Sequence, residues 1–308
     1  MAGDVPGPAA RVQAGSAERT GASGARYGAW VGARLADGRV VRLSPDDGFH
    51  YQACVRPDGL AALFSGAASG PPRIWSVTVD PPGASVALTP PDSGARHPAW
   101  SWSGDRIALT SDRATPGAPQ HVEDISPKGD PESGNIFVMA PDGSRVGQLT
   151  GGAVADQRPT FSPDGSTVVF VSNREDRIGL WRVPSDGSEP PTPLPYRGFA
   201  YRPWFGVDGT TVYCFTIDGD RHRVARIRLD DTDMELLAND DRGWTHGPFA
   251  DPNGQVLIAH STRVDGRYRL FEIPLDGSPM CEITVDEVEH PMHGTRSRNG
   301  VITFDVAD

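Results

Sequence analysis

The chain has no apolar run of the ~18 residues that a membrane-spanning helix needs, and no stretch with a sustained 3.6-residue apolar period. Membrane insertion and helical architectures are therefore not expected. The N-terminal residues 1–24 are rich in Ala, Gly, Ser and Pro and contain no block of large apolar side chains. A secretory leader, with its basic start and apolar centre, is missing from them. They read as a disordered lead-in, ahead of one folded unit over residues 25–308, and the expected location is the cytoplasm. Basic excess is missing too. The formal charge is −11, so nucleic acid, whose phosphates need a positive footprint, is not an expected partner. Cysteine is scarce: Cys54, Cys214 and Cys281 are far apart, odd in number and form no CxxC pair. This fits a reducing compartment and three buried, inert thiols.

Glycine and proline are plentiful, at 36 and 29 residues. Their placement shows many short strands joined by turns rather than disorder. From Arg158, the segment RPTFSPDGSTVVFVSNREDRIGLWRVPSDGS reads as strand, tight turn, strand, loop, strand and second tight turn. In Ser162-Pro163-Asp164-Gly165, proline presets φ at the second turn position and glycine accepts positive φ at the last. The segment 167–171 is β-branched and aromatic, as a buried strand requires. Asp186-Gly187 is a two-residue hairpin signal.

The first turn recurs at Gly59, Gly104, Gly165, Gly209, Gly254 and Gly300. The intervals are 45, 61, 44, 45 and 46 residues. Four short strands per interval is the blade unit of a β-propeller. After Gly300 only VITFDVAD remains, so the last unit lacks its outer pair. The segment 28–44 matches the outer hairpin of residues 135–150 and supplies it. The expected fold is therefore an all-β, six-bladed propeller whose last blade is closed by the N-terminal hairpin, leaving no open sheet edge.

FSPDGSTVVFVSNR and NIFVMAPDGSRVGQLT resemble the WD40-like repeats of TolB-type propellers. The resemblance covers about residues 28–308 and is specific for fold. Other propellers with such repeats are the oligogalacturonate lyases and the propellers of prolyl-oligopeptidase-type peptidases. No Gly-x-Ser-x-Gly nucleophile elbow occurs in this chain.

The start of each innermost strand should converge on one mouth of the central channel. These starts hold His50, Tyr51 and Gln52; Arg96 and His97; Gln157 and Arg158; Tyr201 and Arg202; Trp244 and His246; and His290 and His293. His121 lies in the extra segment 114–133, which reads as a partial lid over the same mouth. His260 is close enough in sequence to Ser261 and Arg263 to approach it. Imidazoles from four blades suit a divalent ion such as Mn, Zn or Ca. They equally suit a metal-free polar pocket or structural hydrogen bonding between blades. The acidic pairs Asp240-Asp241 and the group Asp286, Glu287 and Glu289 lie in loops leading to the same face.

Oligogalacturonate lyases bind a divalent metal in this mouth through histidines and a glutamine, with a basic residue for proton abstraction. That resemblance implies metal ligation by His97, His246, His293 and Gln157, and catalytic roles for His97, His246, Arg158 and Arg202. His50, Tyr51, Gln157, Tyr201, Trp244 and His121 are the expected ligand contacts. The expected activity is acid–base lyase, isomerase or hydrolase chemistry, with or without a metal, on a small polar or anionic substrate, carbohydrates being one candidate class. The alternative is a propeller that binds a small ligand or a protein without catalysis.

Overall fold

Six four-stranded antiparallel sheets are arranged around one axis in the computed structural model, which describes residues 30–113, 134–152, 154–176, 178–237 and 243–306. The innermost strands are Phe49–Val55, Arg96–Trp100, Asp156–Phe161, Tyr201–Phe205, Thr245–Ala250 and Pro291–Arg296. Apart from one 3-10 turn at Arg174–Asp176, the described residues contain no helix. The lead-in 1–24, the segment 114–133 with His121, and Asp240-Asp241 lie outside the described residues.

Local chemistry explains each blade. The six first-turn glycines all have positive φ, between 67° and 87°, a region that costs a side-chain-bearing residue steric strain. Where an aspartate precedes the glycine, as at Asp58, Asp164 and Asp208, it closes the turn. Asp58 accepts from the Leu60 N–H at 3.0 Å, and Asp164 from the Ser166 N–H at 3.0 Å. These Asx contacts satisfy turn amides that have no ladder partner.

The last blade is composite, as the sequence predicts. Trp30–Arg34 pairs with Ile302–Val306, in register from Trp30↔Val306 to Arg34↔Ile302, and Val40–Arg42 pairs outside it. Apolar side chains fill the spaces between neighbouring sheets. One cluster joins Ala108 and Ile136 of blade two to Phe161, Val168 and Phe170 of blade three. The Trp204 and Phe249 rings pack across a blade boundary, tilted by 42° with centroids 4.3 Å apart. One thiol departs from expectation. Cys54 and Cys214 are buried, but Cys281 is exposed because the outermost strand Cys281–Ile283 has no sheet beyond it.

All six innermost strands break register at the same place. The residue at the break is left-handed in every blade: Gln52, His97, Arg158, Arg202, Gly247 and His293, with φ between 50° and 67°. Five of the six carry a side chain, so the ring holds repeated backbone strain of about 1–2 kcal/mol per residue. Such bulges re-aim a side chain. Four of them are followed by proline: Pro98, Pro159, Pro203 and Pro248. The innermost strand is a sheet edge facing the channel, where a missing N–H costs no ladder bond.

Candidate functional site

The bulge ring separates two sets of residues that are adjacent in sequence. Gln52, His97, Arg158, Arg202, Gly247 and His293 line a channel cavity. Their immediate predecessors Tyr51, Arg96, Gln157, Tyr201, His246 and Met292 do not line it. Within the expected site, His97, Arg158, Arg202 and His293 therefore come together, and His246, Gln157, Tyr51 and Tyr201 stand behind them.

Arg158 and Arg202 come from neighbouring blades. Arg158 is 8% exposed. Burial first, and then the Arg202 charge, push its guanidinium down to about 10. Its head lies 5.1 Å from the centroid of the Tyr201 ring. The Tyr201 hydroxyl donates to Gln157 Oε1 at 3.5 Å. Tyr201 and Gln157 thus support Arg158 from behind.

The imidazoles are neutral. Burial, reinforced by nearby Arg158, Arg96 and Arg202, holds His97 well below the ordinary histidine range. His97 Nδ1 lies 3.3 Å from Thr110 Oγ1. His293 is likewise pushed well down, by burial and then by Arg202 and Arg158. Its Nδ1 lies 2.9 Å from both carboxylate oxygens of Asp305. Desolvation raises Asp305 to about 7, against the lowering effect of Arg202 and the Gln52 amide. With Nδ1–H directed at Asp305, Nε2 of His293 is the basic nitrogen.

His260 reaches the ring from the second strand of blade five, Val256–Ser261. Its Nδ1 accepts from the His293 amide at 3.4 Å. His246 packs on it with ring centroids 4.5 Å apart, and His222 lies 4.9 Å beyond His246. Trp244 stacks on His222 at 5.1 Å. Nε2 of His246 is buried with no hydrogen-bond partner among the described residues. His246 and Trp244 belong to this aromatic stack rather than to the cavity wall.

His50 is also displaced from the cavity. It is 2% exposed, donates its Nε2–H to the Asp47 carbonyl at 2.7 Å, and packs edge-on against Phe64.

The expected metal set does not assemble. Among the described residues, no three His, Cys, Asp or Glu side chains are placed to hold a metal ion. His246 and Gln157 are turned behind the wall, and the imidazoles that do face the cavity share it with two guanidiniums. A cation there meets like charge; an anion meets opposite charge. Asp305 and His260 are the site residues that sequence reasoning passed over or placed loosely. His260 carried a weak signal through its neighbours, and Asp305 carried none.

The TolB β-propeller domain family matches residues 116–294. Solved structures agree on the fold. A protein of Agrobacterium tumefaciens described as a candidate TolB superposes with a TM-score of 0.71 at 13% identity, covering 92% of this chain and 99% of its own. TolB from Acinetobacter baumannii superposes with a TM-score of 0.61 at 16% identity, covering 89% of this chain and 63% of its own. An oligogalacturonate lyase in complex with manganese gives 0.57 at 17% identity, covering 88% and 76%. At such identities the likeness extends to the propeller and no further. The chain belongs to the TolB β-propeller domain family.

Proposed function

We propose that this propeller binds a small anionic molecule, carrying a carboxylate or phosphate, in its central channel. The observation that carries the reading is the pair Arg158 and Arg202, two guanidiniums on adjacent blades that line one cavity and repel each other. Asp305 is the nearby carboxyl, and its raised value of about 7 leaves it only partly charged at neutral pH. An anion seated between the guanidiniums relieves the repulsion and gains charge-assisted hydrogen bonds. The neutral imidazoles of His97 and His293 add donors or acceptors without adding charge. The three unpaired thiols support a cytoplasmic setting for this role.

A second reading, acid–base catalysis on the bound molecule, is favoured by the His293–Asp305 pair. An oriented imidazole whose Nε2 is unprotonated, beside two guanidiniums, can receive a proton from a carbon next to a bound carboxylate. Lyase, isomerase and hydrolase chemistry all begin or end with such a transfer.

Calorimetric titration with phosphate and with acetate tests the binding reading. Saturable binding to the native protein, lost in Arg158→Gln and in Arg202→Gln, supports it. Binding that both variants retain, or no binding at all, overturns it.

A further inference from the structure

Below the charged ring the channel wall changes character. The residue after each bulge is Ala53, Pro98, Pro159, Pro203, Pro248 or Gly294, and all six line the cavity. Four of these have no N–H to offer. One step deeper the wall consists of Cys54, Ala99, Trp204, Phe249 and Thr295. Trp204 and Phe249 form a continuous aromatic surface there. Thr295 is spent on other partners: its hydroxyl accepts from the Val55 amide at 2.9 Å and lies 2.7 Å from Thr303 Oγ1. The Cys54 thiol is 3% exposed, and burial raises it to about 12. A second cavity shares Cys54, Trp204 and Phe249 with the first and continues past Trp100 and Trp102. The sequence that makes this sleeve is the repeated X-Pro at the bulge, and the ring of prolines is its direct product.

We propose that the ligand is an amphipathic anion: one carboxylate joined to a compact aromatic or aliphatic body, with the carboxylate at Arg158 and Arg202 and the body in the proline and aromatic sleeve. The inference rests on the anion-binding reading above and narrows it. A sugar acid is the wrong shape of polarity for this channel. Its hydroxyls would be desolvated against a wall short of hydrogen-bond partners, and each unsatisfied hydroxyl is costly. An aryl or alkyl body loses nothing there and is removed from water. Among the described residues, polar side chains are concentrated in the bulge layer, where Gln52, His97, Arg158, Arg202 and His293 line the cavity, whereas the deeper lining is mostly apolar.

The test is a titration of the full chain with four defined probes at neutral pH: acetate, benzoate, hexanoate and galacturonate. Benzoate or hexanoate binding about ten- to a hundredfold tighter than acetate, with galacturonate no tighter than acetate, supports the proposal. The benzoate preference should shrink towards acetate in Phe249→Ala, while acetate affinity stays within about twofold and reports that the variant is folded. If that variant does not fold, the ranking of the four probes on the native protein decides alone. Equal binding of all four, or tightest binding of galacturonate, overturns the amphipathic ligand and leaves the anion site standing. Failure of all four to bind, together with no effect of phosphate, removes the anion site itself and this inference with it.

Discussion

A Cβ placed on Gly247 would stand 2.8 Å from Cε1 of His260. Residue 247 is the fifth bulge position and the only one of the six without a side chain. The His260 imidazole, from the next strand, takes the space that a side chain would fill and brings its Nδ1 to the His293 amide. One glycine thus exchanges a channel-facing side chain for a buried imidazole contact between blades five and six.

Gly247→Ala should therefore act twice. It places a side-chain-bearing residue at φ 67°, and it presses a methyl group against Cε1 and Nδ1 of the packed His260 ring. Destabilisation of about 1–3 kcal/mol is expected, read as a lower denaturant midpoint at constant slope. An unchanged midpoint would show that His260 yields without cost.

Arg202→Gln should separate stability from binding. Arg202 lowers Arg158, His97, His246, His260 and His293 alike. At neutral pH its removal relieves the repulsion with Arg158, partly offset by a lost favourable interaction with Asp305, while the uncharged imidazoles gain nothing. In chloride buffer the variant should be as stable as the native protein or more stable by about 1 kcal/mol. Phosphate at matched ionic strength should raise the native Tm and leave that of the variant unmoved. A phosphate shift of equal size in both proteins would contradict the assignment.

Stability should fall on acidification below about pH 6.5. His97, His246, His260 and His293 are all held well below the ordinary histidine value, chiefly by burial. The unfolded chain takes up protons there that the folded ring refuses, so each site costs up to about 1.4 kcal/mol per pH unit as pH drops. Asp305 runs the other way. Its folded value near 7 exceeds the unfolded value, so its contribution is present at low pH and is lost as pH rises from about 4 to 7. Asp305→Asn should accordingly gain stability relative to the native protein between pH 5 and pH 8. Thermal melts at half-unit pH steps measure both effects. A native Tm that is flat from pH 7 to pH 5 would refute the neutral imidazole ring.

One thiol in three should react quickly. Cys281 is exposed, whereas burial raises Cys54 to about 12 and Cys214 further still. An aromatic disulfide reagent should titrate a single thiol in the native protein and all three in denaturant. Fast loss of more than one thiol would mean that a blade opens readily.

The blades were legible in the sequence because their signals are local. Asp-Gly turns, β-branched runs and a constant interval place Gly59, Gly165 and Gly209 without knowledge of any distant contact. Ring closure was legible for the same reason, as the missing outer pair of the last unit had one possible supplier. The bulge was not. A left-handed Arg158 or His97 has no local signature, yet the break in register decides whether Arg158 or Gln157 faces the channel. A single-residue slip reverses every such assignment, and that is how Gln157 and His246 entered the expected metal set. Asp305 was invisible because ITFDV reads as an ordinary inner strand, and its partner His293 is reached only through sheet pairing.

The seam that closes the ring also fixes how it would open. Trp30 is paired with Val306 at one end of the ladder, and Arg34 with Ile302 at the other. Tension applied to the two ends of the propeller therefore bears on the Trp30–Val306 pair alone. The hydrogen bonds would part in sequence, as a zipper does, rather than share the load in shear. A propeller built this way resists pressure on its faces far better than traction on its termini. Tethering both ends to structures that move apart would release blade six first, and with it the His293–Asp305 pair.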